Sequence, residues 1–179
     1  MNSKRALLVI DMQLVAFDGK ITPPIPNGSS LLTNVFDLIG TARNAGFLVI
    51  YVQTCALSGQ PYAKDVHGWE IHPDITPGAD EPVFHKVGPS GFENPKLDPF
   101  LKSLGVEKVV VCGIWSEGCV AYTCDSAMEL GYDVTLVADA HSTVRGSEAD
   151  ALAVREEQNQ SFEQKGVGVI STQEMILDR

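Results

Sequence analysis

The 179-residue sequence predicts an α/β protein of three layers, with helices on both faces of a mostly parallel sheet of about six strands. Short apolar, β-branched runs recur along the chain, and the segments between them carry apolar residues at helical spacing. Several of these runs end on a polar or charged residue. Strand and helix alternating in this way give parallel strands joined by crossovers, and in such sheets ligands bind beyond the carboxyl ends of the strands.

The first strand is Ala6-Leu7-Leu8-Val9-Ile10, and Asp11 puts a carboxylate at its tip. Residues 17–27 are turn-rich, with Pro23, Pro24 and Pro26, and form a surface excursion. Leu31, Leu32, Val35, Leu38, Ile39 and Ala42 then mark a helix that runs to Gly46, and residues 47–52 make the second strand. Residues 53–82 are polar and have no sustained period, as in a loop that helps wall a site. A brief extended run over residues 82–86 ends in Lys86, residues 89–92 turn, and Leu97, Phe100, Leu101 and Leu104 mark a helix over residues 94–104.

The stretch that follows is central. Val109-Val110-Val111-Cys112-Gly113 reads as a strand buried on both faces. Ser116 is placed to cap a helix with Glu117 in its first turn, which ends at Gly131. A strand over residues 134–138 tipped by Asp139, a helix over residues 147–164 and a last strand over residues 167–170 complete the order.

Composition narrows the function. Thirteen basic residues against 23 acidic ones leave a net charge of −10, and the basic residues are scattered, which argues against nucleic-acid and anionic-membrane binding. The apolar run before Asp11 is too short for a signal sequence or a membrane span, and four cysteines without framework spacing suit a reducing compartment. The expectation is one soluble cytoplasmic domain over residues 1–179.

Cys119 falls in the first turn of a helix that follows directly on a buried strand. Free N–H groups and the helix dipole there favour a thiolate. A cysteine in such a place more often packs than reacts, and Cys112 and Cys124 fit that reading. Phosphatase chemistry is excluded because residues 120–126 hold no arginine, and a Cys-x-x-Cys redox pair is absent. Asp11 and Lys86, at the tips of two other strands, supply the base and the cation that a reacting thiol needs. Alone, Asp11 reads as a turn residue and Lys86 as a solvated charge; their joint placement with Cys119 favours chemistry.

The motifs LLVIDMQ, FHK followed by GPSGF, and GIWSEGCVAYTCDSAMELGYDVTLVADAHST together resemble the isochorismatase-like cysteine hydrolase family, in that family's order and approximate spacing. The resemblance implies its Rossmann-like hydrolase fold and a catalytic triad of Asp11, Lys86 and Cys119. It also implies a cis peptide bond from Ile114 to Trp115 and an oxyanion hole from the backbone N–H groups of Trp115 and Cys119. The implied reaction is hydrolysis of a small amide, ureide, carbamoyl compound or lactam through a thioester, without a cofactor, in a homo-oligomer. Nicotinamidases of the family carry a metal-binding Asp-x-His after the second strand, where this chain reads Gln53-Thr54-Cys55-Ala56, so no metal is expected. True isochorismatases lack the cysteine nucleophile, and Cys119 points to the amide-cleaving branch. Its Ser-Glu pair before Gly118 resembles members that include the streptothricin hydrolases.

Phe17, Trp69, Phe92 and Trp115 are candidates to line the substrate pocket, and Glu117 either faces away or binds a substrate amine. Gln13 holds a loop, and the four histidines, lacking ligand spacing, are structural or surface residues. Two other classes stay open on the residues alone: a silent binding relative in which Cys119 packs, and a redox or electrophile sensor. A dinucleotide-binding protein is disfavoured, since no G-x-G-x-x-G follows a predicted strand.

Overall fold

The computed structural model describes residues 4–177. Residue 1–3 and 178–179 positions lie outside it. The order is β1 (Lys4–Ile10), α1 (Gly28–Asn44), β2 (Leu48–Thr54), β3 (Val83–Lys86), α2 (Leu97–Ser103), β4 (Val106–Ile114), α3 (Ala121–Glu129), β5 (Asp133–Ser142), α4 (Glu148–Gln164), β6 (Gly168–Ile170) and α5 (Thr172–Leu177). The six strands among the described residues form one sheet in the order β3-β2-β1-β4-β5-β6, every pair parallel. No described helix is long and apolar enough to cross a membrane.

Alternate side chains of the central strands feed two cores, as a sheet covered on both faces requires. Leu7, Val9, Tyr51, Val110 and Cys112 pack with Leu31, Val35 and Leu38 of α1 and Met175 of α5. Ala6, Leu8, Ile10, Val109 and Val111 pack on the other face with Leu97 and Leu101 of α2, Cys124 and Ala127 of α3, and Phe162 of α4. Strands β1 to β3 are laid down toward one edge and β4 to β6 toward the other, so strand order reverses between β1 and β4, which lie side by side at the middle of the sheet. A crevice opens at their carboxyl ends.

Three details depart from the sequence reading. Strand β5 does not stop before Asp139: the pairing slips between Val111 and Gly113, and His141 and Ser142 rejoin the ladder opposite Gly113 and Ile114. Asp139 instead accepts bonds from the Thr172 N–H (2.8 Å) and hydroxyl (2.7 Å), at the start of the unforeseen helix α5. Ser116 does not cap the central helix; it is fully buried and bonds to His141 Nδ1 at 2.8 Å.

Candidate active site

Register alone brings the first site residues together. Thr54 pairs with Lys86 across β2 and β3, while the Asp11 N–H, one residue beyond β1, donates to the Val52 carbonyl at 2.8 Å. Asp11 adopts φ 51°, in the left-handed region that aspartate enters more readily than most residues. From β4 the chain passes through a cis peptide bond between Ile114 and Trp115 into a wide turn, Ser116–Val120, whose Gly118 departs from helical geometry. That turn delivers Cys119.

The three side chains meet. Lys86 Nζ lies 2.8 Å from Asp11 Oδ2 and 3.1 Å from Cys119 Sγ, and it also donates to Thr54 Oγ1 (2.8 Å) and the Gly88 carbonyl (3.1 Å). Thr54 passes its own hydroxyl proton to Asp11 Oδ1 at 3.0 Å. With its side chain fully buried, the Lys86 ammonium spends its three protons on four acceptors. Burial works against its charge, but Asp11 and Cys119 outweigh burial and raise its pKa.

The thiol itself is held protonated. Burial first, and then the neighbouring Asp11 carboxylate, push Cys119 up to about 12 against the opposing pull of Lys86. Burial and the carboxylate thus outweigh the favourable helix-start position, and Cys119 lies above the ordinary thiol range, as do the core cysteines Cys112 and Cys124. The resting site is thus a thiol beside a carboxylate that faces it, with an ammonium touching both.

These groups floor a cavity of about 210 Å³, walled by Tyr62, Val87, Pro89, Ile114 and Trp115. Of the proposed pocket residues only Trp115 lines it. Phe17 packs against the α1 core and His72, and Phe92 stacks on Tyr132 in the opposite core. Trp69 donates its indole N–H to the Thr54 carbonyl at 3.1 Å and so braces the strand end from behind. Glu117 turns away and accepts from Thr143 Oγ1 (2.7 Å) and Arg145 Nε (2.8 Å).

Gln13 is wholly buried and ties the loop down, bonding the Thr54 N–H and carbonyl and the Trp69 carbonyl. His141 is buried too. Its Nε2 meets Asn159 Oδ1 at 2.9 Å, and because Asn159 spends its N–H on the Ala138 carbonyl, His141 Nε2 must be the donor. Ser116 then donates to Nδ1, which anchors the turn that carries Cys119. Among the described residues no three His, Cys, Asp or Glu side chains gather as a metal site would need.

Thr54 and Tyr62 escaped the sequence reading. For Thr54 the available signal was its place two residues beyond the apolar run of the second strand, where register sets it level with Lys86.

Cysteine, lysine and aspartate thus gather at the carboxyl ends of the central strands of an α/β protein with a parallel sheet. The chain belongs to the isochorismatase family: residues 5–174 match the isochorismatase domain. It is 38% identical over 139 residues to a streptothricin hydrolase of Streptomyces noursei, covering 78% of this chain and 50% of the relative. The chain thus spans about half the length of the first curated relatives that it matches. Among solved structures, an isochorismatase-like hydrolase from Alkaliphilus metalliredigens superposes with a TM-score of 0.85 at 25% identity, covering 98% of this chain and 99% of the other. N-carbamoylsarcosine amidase from Thermoplasma acidophilum gives 0.79 at 26% identity, covering 94% and 96%.

Proposed function

We propose that the protein is a metal-independent cysteine amidohydrolase that cleaves a C–N bond of a small amide-type substrate through a thioester. The observation that carries this reading is Lys86 Nζ set between Asp11 Oδ2 and Cys119 Sγ, at 2.8 and 3.1 Å, on the floor of a cavity. Streptothricin hydrolase and N-carbamoylsarcosine amidase, whose names denote hydrolysis and amide cleavage, are relatives in sequence and fold.

Because the thiol keeps its proton at rest, attack and deprotonation occur together. As Cys119 Sγ closes on the substrate carbonyl carbon, Asp11 takes the thiol proton, and Lys86 stabilises the negative charge that remains on the pair. The backbone N–H groups of Trp115 and Cys119 hold the tetrahedral oxyanion. Asp11 then gives the proton to the leaving nitrogen, and ammonia or an amine departs. Asp11 next deprotonates a water that attacks the thioester and returns the proton to sulfur, releasing the acid. Thr54 keeps the Asp11 carboxylate in register with both partners.

Ammonia release from a panel of small amides, ureides, carbamoyl compounds and a lactam tests this directly. Wild type turns over at least one member and Cys119→Ala turns over none; equal activity in the two would remove Cys119 from the reaction. The family resemblance further suggests a cytoplasmic homo-oligomer, for which light scattering should give a mass above that of one chain.

A further inference from the structure

We propose that Tyr62, set against Trp115, is a specificity residue, and that the cavity admits an uncharged, apolar acyl group and rejects substrates bearing a carboxylate. This rests on the amidohydrolase reading and goes further, to the class of acyl group. Tyr62 carries the wall. Its backbone sits at φ 68°, a left-handed conformation that bulky residues adopt only when surroundings impose it, and its carbonyl is fixed by the Ala56 N–H at 3.1 Å. The ring meets the Trp115 indole edge to face, centroids 6.1 Å apart and planes at 84°, which forms a right-angled aromatic corner beside Cys119.

Charge decides the second half. Among the residues that line the cavity Lys86 is the one cation, and its three protons are already committed to Asp11, Thr54, Gly88 and Cys119. Two cations of nearby loops are engaged elsewhere: Lys64 lies over the Trp69 ring at 5.3 Å, and Arg145 pairs with Glu117. A carboxylate entering would lose hydration, meet Val87, Pro89 and Ile114, and stand near the Asp11 charge with no uncommitted cation to pair with. The net charge of −10 opposes its approach as well. At about 210 Å³ the cavity is below the roughly 300–1,000 Å³ of pockets for drug-sized ligands, so the group that enters is small.

The test compares 4-nitrobenzamide with 4-carbamoylbenzoate, which match in shape and differ in charge. Calorimetric binding to Cys119→Ser is measured alongside turnover by wild type. The neutral amide should bind more tightly by about 100-fold or more, since the anion has no cation to replace its water. Tyr62→Ala should weaken its binding by about 10-fold, and Tyr62→Phe should restore it, because the ring face supplies the wall. Equal or tighter binding of the carboxylate, binding of neither compound, or an indifferent Tyr62→Ala overturns the proposal. A binding preference without turnover of either compound would uphold the selectivity and count against the amidohydrolase reading instead.

Discussion

Cys119 is a thiol at rest because two effects that raise its pKa, burial and the Asp11 carboxylate, exceed the one that lowers it, the Lys86 ammonium. Its rate of alkylation by iodoacetamide should therefore keep rising from pH 7 to about 10. A plateau below pH 7 would mean a preformed thiolate. Lys86 is bound to Asp11 inside the protein, and removing one member of a buried ion pair leaves the other charge stranded. Lys86→Met should cost about 3–5 kcal/mol in denaturant unfolding, and adding Asp11→Leu should recover much of it. Asp11, Lys86 and Cys119 were legible because each closes an apolar run or opens the helix after one, which is where a parallel sheet keeps its site. Thr54 and Tyr62 were not. The position of Thr54 just past an apolar run was a signal, but its role comes from strand register, and that of Tyr62 from the fold of a loop without a period.

At the scale of elements, the turn after β4 is held from two sides. On one side, Gly113 has φ 120°, and a β-carbon there would run into the Ile10 backbone of β1. Gly113→Ala should destabilise the protein by about 3 kcal/mol or more in denaturant unfolding, since both backbone strain and overlap oppose it. On the other side stand Ser116, His141 and Asn159. Burial lowers the pKa of His141 to about 4, so the folded state keeps it neutral while the unfolded chain protonates it near pH 6.5. The stability this neutral imidazole contributes is complete above about pH 6.5 and is lost as pH falls toward 4, about 3 kcal/mol in all. Unfolding curves across that window should show the loss in wild type and a shallower dependence in His141→Gln. The misreadings of Ser116 and Asp139 share one cause. Hydroxyl and carboxylate side chains favour helix caps and strand tips locally, and here tertiary partners, His141 and Thr172, claim them first.

Across the whole molecule, strand order makes the site. Asp11 follows β1, Thr54 and Lys86 end β2 and β3, and Cys119 follows β4, and these four strands are neighbours in the sheet. The alternating pattern of the sequence announced the parallel sheet and four of its five described α-helices, whereas the order of strands is set by which helix covers which face. Motif resemblance supplied the grouping of the triad before any distance was known. The most direct test is mass spectrometry of wild type quenched in acid during turnover of an amide identified by ammonia release. An added mass equal to the acyl group, mapped to Cys119 and absent from Cys119→Ala, is the expected result. Turnover with no acyl group on Cys119 under conditions where thioester hydrolysis limits the rate, or an acyl group mapped to another residue, would contradict it.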